Sequence, residues 1–310
     1  MNILVVRLSA MGDILHTLPA VATLKHSFPA AHIAWAVKPR WSILLRDNPY
    51  VDQILPMEWP KPGLGKFDLA IDFQGLIKSS AVARLAGAPR VFGFNEPRET
   101  PARVFYTAKV ATRARHVVEM NLELAAAAGA ARRRIDFPVP DCPPEGELPG
   151  GDFVLASPLA GWKAKQWPAA CYTRLAALVR EHWGWPLVLN CAPSEEEEMA
   201  AIPGCLVNAT SVAGLIGVTR RARAVVGLDS GPLHLAAALA KPGVALFGPT
   251  DPDRNGPYGD TITVLRAAGA VTSYQRDAVI APSMEALEPE QVWQALAVQI
   301  SRTSVLEPHL

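Results

Sequence analysis

Short apolar runs alternate along this chain with segments whose apolar positions recur every three or four residues. The runs at 2–6, 32–37, 53–55, 68–72 and 90–93, and again at 152–156, 186–190, 204–207, 224–228 and 243–247, predict buried strands. After the first of them, Ile14, Leu15, Leu18, Val21, Ala22 and Leu24 recur at helical spacing, and the alanine runs at 125–131 and 236–240 fall inside helix patterns. Strands alternating with helices make parallel sheets, so the expected fold class is α/β. Residues 132–152, RRRIDFPVPDCPPEGELPGGD, hold too many prolines and glycines for a regular element and predict a linker and hinge. This divides the chain into a domain at 1–140, a second at 141–285, and a closing segment at 286–310. In that segment Pro289 opens a helix with Val292, Leu296 and Ile300 on one face.

Composition narrows the picture. A length of 310 residues suits two domains of about 150 each. Half of the residues are hydrophobic, 19% are charged and the formal charge is +1, a balance expected of a soluble globular enzyme and not of a protein with a large nucleic-acid surface. No apolar run reaches the roughly 20 residues that cross a bilayer. The start, MNILVVRLSAMGD, lacks a basic n-region and is not read as a signal peptide. Cys142, Cys171, Cys191 and Cys205 show no CxxC spacing, and are read as reduced thiols of a cytoplasmic protein.

Candidate chemistry concentrates in two glycine turns. In VVGLDSGPLHLAAALAKPGVALFGPTD, residues 225–251, a strand ends at Asp229 and Ser230-Gly231-Pro232 opens a helix. Proline inside a helix start forfeits nothing, and the free N–H groups of Ser230, Gly231 and Leu233 at the positive end of the dipole suit a phosphate. A second strand then ends in Gly248-Pro249-Thr250-Asp251, and ligands of open α/β sheets bind at such carboxyl ends. At the N-terminus, Gly12 and Asp13 stand at the start of the helix that follows the first strand, where an acidic side chain acts as a dipole partner or as a reactive group. His16 and His234 follow the two turns but have no second ligand at i+3 or i+4, so neither predicts a metal site.

RLSAMGDILHTLPA at 7–20, DFQGLIKS at 72–79, KQWP at 165–168, APSEEEE at 192–198, GLDSGPLHLAAAL at 227–239 and FGPTDP at 247–252 together resemble the glycosyltransferase family 9 heptosyltransferases. The resemblance spans nearly the whole chain, and the spacing is nearer to the enzymes that add the first heptose than to those that add the second. It implies a GT-B architecture, two Rossmann-like domains facing a cleft, with the C-terminal helix crossing back to the first domain. It also implies inverting transfer of heptose from ADP-heptose to Kdo, or to an attached heptose, of the lipopolysaccharide inner core. Asp13 matches the family's general base and Lys165 the lysine that meets the diphosphate. Glu195 matches the residue on the ribose, Asp229 the one against the heptose, and Thr210 lies where backbone groups grip the base. Gly12, Ser230, Gly231 and His234 complete the expected donor-binding set. An unperturbed carboxylate titrates near 4, so Asp13 needs an upward shift or a concerted proton transfer.

The chain departs from the family in two places. Ala160 and Gly161 stand where hydroxyl residues precede the lysine, and Ser273-Tyr274-Gln275-Arg276 stands where many relatives have cysteines. An anionic acceptor would be met by basic side chains of the first domain, chiefly Lys61, Lys78, Arg98 and Arg115, with Trp41, Trp59 and Trp162 as stacking candidates. No metal or cofactor is expected beyond the donor substrate, nor any nucleic acid. The protein is expected to be a monomer in peripheral contact with the cytoplasmic face of the inner membrane. The nearest alternatives are a GT-B transferase or epimerase using another nucleotide sugar, and a nucleotide-sugar-binding module without turnover. A nicotinamide oxidoreductase is disfavoured because RLSAMGD lacks GxGxxG.

Overall fold

The computed structural model describes residues 1–60 and 63–306, in two compact units, Met1–Pro140 and Asp141–Leu310. The first unit contains β1 (Asn2–Val6), α1 (Met11–Leu15), α2 (Leu18–Ser27), β2 (His32–Val37), β3 (Gln53–Pro56), β4 (Leu69–Asp72), α3 (Ile77–Leu85), β5 (Arg90–Phe94), β6 (Ala108–Val110) and α4 (Val117–Ala127). Its strands pair in the order β3-β2-β1-β4-β5-β6, all parallel. The order reverses between β1 and β4, so a crevice opens beyond their carboxyl ends, after Val6 and Asp72.

The second unit contains β7 (Val154–Ser157), α5 (Ala169–Trp183), β8 (Leu187–Cys191), α6 (Glu196–Ala200), β9 (Leu206–Ala209), α7 (Val212–Arg221), β10 (Ala224–Leu228), α8 (Gly231–Ala238), β11 (Gly243–Phe247), α9 (Pro252–Asn255), β12 (Ile262–Arg266), α10 (Pro282–Glu285) and α11 (Pro289–Leu306). Its sheet runs β12-β11-β10-β7-β8-β9, the same order repeated, with the reversal between β7 and β10. The two sheets are built from the two runs of apolar strands seen in the sequence. β6 and β12 are the exceptions. Both are edge strands, only partly buried, and their mixed pattern carries no continuous apolar run.

The central strands β1, β10 and β11 are buried almost throughout, because helices cover both faces of a parallel sheet. α11 closes the second unit. Its Val292 and Leu296 join the apolar cluster of the second unit with Val244 and Leu246, and the helix packs along α5, β11 and β12. That part of its apolar face packs within the second unit.

Candidate functional site

In the first unit the chain leaves β1 at Arg7 and turns through Leu8-Ser9-Ala10 into α1, which carries Gly12 and Asp13. Arg7 is 1% exposed, an extreme burial for a guanidinium, and its Nε makes no hydrogen bond. Nη1 donates to the Phe73 carbonyl, Nη2 lies 2.5 Å from Asp13 Oδ1, and the Arg7 amide donates to Ala36 at 3.2 Å. Arg98 Nη2 donates to the same Asp13 oxygen at 2.7 Å. Two guanidinium groups thus converge on Oδ1, while Oδ2 meets the Ala10 amide at 3.3 Å. Burial by itself would raise the Asp13 carboxyl, but the charges of Arg7 and Arg98 outweigh it and hold the group well below the usual carboxylate range. The direction is opposite to the upward shift that the sequence left open for a base.

A buried network sets this geometry. Asp72, at the end of β4, is fully buried and accepts from the amides of Gln74 and Gly75 at 2.9 and 3.3 Å, from Ser79 Oγ at 2.9 Å and from the Tyr106 hydroxyl at 2.7 Å. Burial pushes the Asp72 carboxyl up against those bonds, and burial together with the facing carboxylate pushes the Tyr106 phenol up. The loop so shaped presents the Phe73 carbonyl to Arg7 and Gln74 Oε1 to the Leu8 amide at 2.6 Å. Gly75 has φ +73, and a Cβ there would stand 3.0 Å from the Arg98 amide nitrogen, so the residue next to Arg98 must be glycine. Its carbonyl accepts from the Glu99 amide at 2.9 Å, which fixes the loop bearing Arg98.

The expected acceptor set is only partly assembled. Arg98 reaches Asp13, whereas Lys78 places Nζ 3.8 Å over the ring of the exposed Trp59. Arg115 is exposed in the loop leading to α4, and Lys61 lies outside the described residues. His16 is buried with its ring edge-on to His116, 5.8 Å between centroids, in a packing position.

In the second unit Lys165 ends a one-turn 3-10 helix at Lys163–Lys165 that follows β7. Although a lysine, it is 8% exposed. Nζ donates to the Asp229 carbonyl at 2.5 Å and to Asp229 Oδ2 at 3.0 Å, and it lies 4.3 Å from the centre of the Trp162 ring. His234 Nε2 stands 3.7 Å from Asp229 Oδ1. Burial would raise the Asp229 carboxyl, yet His234 and the Lys165 charge together hold it well below the usual range. Ser230 is the N-cap of α8 with Pro232 at the second position, but its side chain makes no capping bond and its hydroxyl is buried without a partner. Thr250, 1% exposed after β11, likewise keeps an unpartnered hydroxyl. The free amides of α8, the Lys165 ammonium and these hydroxyls make a donor-rich site suited to an anion.

Two expected donor contacts are engaged locally. Glu195 Oε2 accepts from the Ala192 amide at 2.9 Å and so closes its own turn. Thr210 Oγ1 donates to Asn190 Oδ1 at 3.0 Å. Sequence reading gave no role to Arg7, Asp72 or Tyr106, and placed Thr250 only within the strand-end turn at 248–251. Arg7 carried a signal as an arginine directly after the apolar run at 3–6 and six residues before Asp13, and Asp72 opens the DFQGLIKS motif. Among the described residues no three His, Cys, Asp or Glu side chains gather as a metal site, and no helix is long and apolar enough to cross a membrane.

Comparison with known proteins is consistent across the chain. The family model described as glycosyltransferase family 9 (heptosyltransferase) matches residues 63–278. Lipopolysaccharide heptosyltransferase 1 of Pseudomonas aeruginosa is 32% identical, over 84% of this chain and 82% of that protein. Lipopolysaccharide heptosyltransferase 1 of Escherichia coli K12 is 28% identical, over 86% and 94% respectively. The E. coli heptosyltransferase WaaC solved with ADP superposes with a TM-score of 0.78 at 26% identity, covering 96% of this chain and all of that one. The same enzyme solved with ADP-2-deoxy-2-fluoro heptose gives 0.76 at 26% identity, covering 96% of this chain and 99% of that one.

Proposed function

Because the chain belongs to glycosyltransferase family 9, we propose that it moves heptose from ADP-heptose to Kdo, or to an attached heptose, in the inner core of lipopolysaccharide. The observation that carries this reading is the Asp13 carboxylate, with both guanidinium groups on Oδ1 and Oδ2 left to a weak backbone donor. The acceptor hydroxyl attacks the anomeric carbon from the face opposite ADP, the bond to the diphosphate breaks with its electron pair, and the proton passes to Asp13 Oδ2. A carboxylate held so low is always ionised but weakly basic. The proton therefore moves late, once the attacking oxygen has bonded to carbon and become acidic.

Arg98 is the adjustable partner. Its side chain is 45% exposed against 2% for Arg7, so an anionic acceptor can draw Arg98 away from Asp13 while Arg7 keeps the carboxylate aimed. Basicity then rises when the acceptor is in place. On the donor side, Lys165, the Ser230 hydroxyl and the α8 amides hold the diphosphate and offset the charge that grows on it. Asp229 and His234 face the sugar, Glu195 the ribose, and the backbone near Thr210 the base. A relative that binds ADP and a fluorinated ADP-heptose supports this donor. For such a membrane-embedded acceptor the proposed place of work is the cytoplasmic face of the inner membrane, with the enzyme acting as a monomer.

Calorimetric binding of ADP, UDP, GDP and ADP-heptose to the full chain tests the donor assignment. Tightest binding of ADP and ADP-heptose supports it; preference for UDP or GDP contradicts it.

A further inference from the structure

We propose that Arg276 is a second cation of the donor site and binds the diphosphate beside Lys165, an assignment that rests on the donor reading above. Residues 267–281 run from β12 to α10 without helix or strand. Backbone bonds tie this segment to both loops of the donor site. The Ser273 amide donates to the Pro249 carbonyl at 2.7 Å, in the loop that carries Thr250, and the Ala281 amide donates to the Ala164 carbonyl at 3.2 Å, next to Lys165. Arg266 adds a third tie, donating to Thr272 Oγ1 at 2.9 Å. Arg276 is thereby suspended where its guanidinium carbon lies 5.5 Å from the centre of the Trp162 ring, the same ring that Lys165 Nζ approaches to 4.3 Å.

Two cations gathered on one indole repel each other unless an anion joins them. Asp229 neutralises Lys165 at 3.0 Å, whereas Arg276 has no ion pair among the described residues. A guanidinium lying on an aromatic face keeps its in-plane N–H donors available, in the fork that matches phosphate oxygens. The unpartnered Trp162 Nε1 and Thr250 Oγ1, both buried, add donors on the two loops to which the segment is tied. The stretch before Trp162, Leu159-Ala160-Gly161, supplies no side-chain donor, so the extra positive charge comes from this strap instead.

Calorimetry with ADP and AMP on the full-length wild type, Arg276→Ala and Arg276→Lys tests the assignment. Arg276 is exposed, so both variants fold, and equal melting temperatures check this. Arg276→Ala is expected to weaken ADP binding about tenfold and AMP binding by less than about twofold, with Arg276→Lys in between. ADP affinity within about twofold of wild type in Arg276→Ala, or equal losses for ADP and AMP, would overturn the proposal. A wild type that binds ADP no better than AMP would instead remove the donor reading beneath it.

Discussion

Asp13 is held by opposing forces of unequal permanence, a buried arginine that cannot leave and an exposed one that can. Since its folded pKa lies below the unfolded value, its contribution to stability is full above the ordinary carboxylate range and is lost as pH falls through the folded value. Asp13→Asn strands the Arg7 charge in the interior and should lower stability by about 3 kcal/mol near neutral pH, measured by denaturant titration. That gap should narrow as pH drops below about 4, because the Asp13 carboxyl of the unfolded wild type then takes up a proton while the folded one stays ionised. Ser230 gives the reverse case. Its hydroxyl has no partner in the protein, so Ser230→Ala should leave the melting temperature unchanged while weakening ADP binding by about fivefold. A matching loss of stability would show that the hydroxyl serves the fold.

At the scale of elements, the turn from β4 to α3 is the frame on which Arg7 and Arg98 both depend. Gly75→Ala forces a side chain at φ +73 against the Arg98 amide. It should cost about 2 kcal/mol and raise KM for the acceptor more than for the donor, measured by steady-state kinetics. Tyr106→Phe removes one bond to buried Asp72 and should cost about 1–2 kcal/mol with a smaller kinetic effect. The sequence shows this frame poorly. The positions of Gly12, Asp13 and Asp229 are legible because a strand, a turn and a helix start are contiguous in the chain, whereas Lys165 stands out only through the family resemblance. The contacts of Arg7 with Phe73 and Asp13 with Arg98 join residues 66 and 85 positions apart, and no local pattern encodes them. β6 and β12 escape for a related reason, since an edge strand needs little apolar surface.

Across the whole molecule one topology is used twice, and each copy places its candidate site residues at the reversal of strand order. Asp13 follows β1, beside β4, in one sheet; Lys165 follows β7 and Asp229 follows β10 in the other. That plan was legible from the rhythm of apolar strands, because buried parallel strands need continuous apolar runs. The division of chemistry between the units gives the account its central claim, that the Asp13 carboxylate accepts the proton while the nucleotide is held elsewhere. Acceptor-dependent release of ADP from ADP-heptose, measured beside ADP-heptose binding for wild type and Asp13→Ala, tests it most directly. The account predicts that turnover falls by about a thousandfold or more while binding stays within about threefold. Turnover of Asp13→Ala within about tenfold of wild type would contradict it.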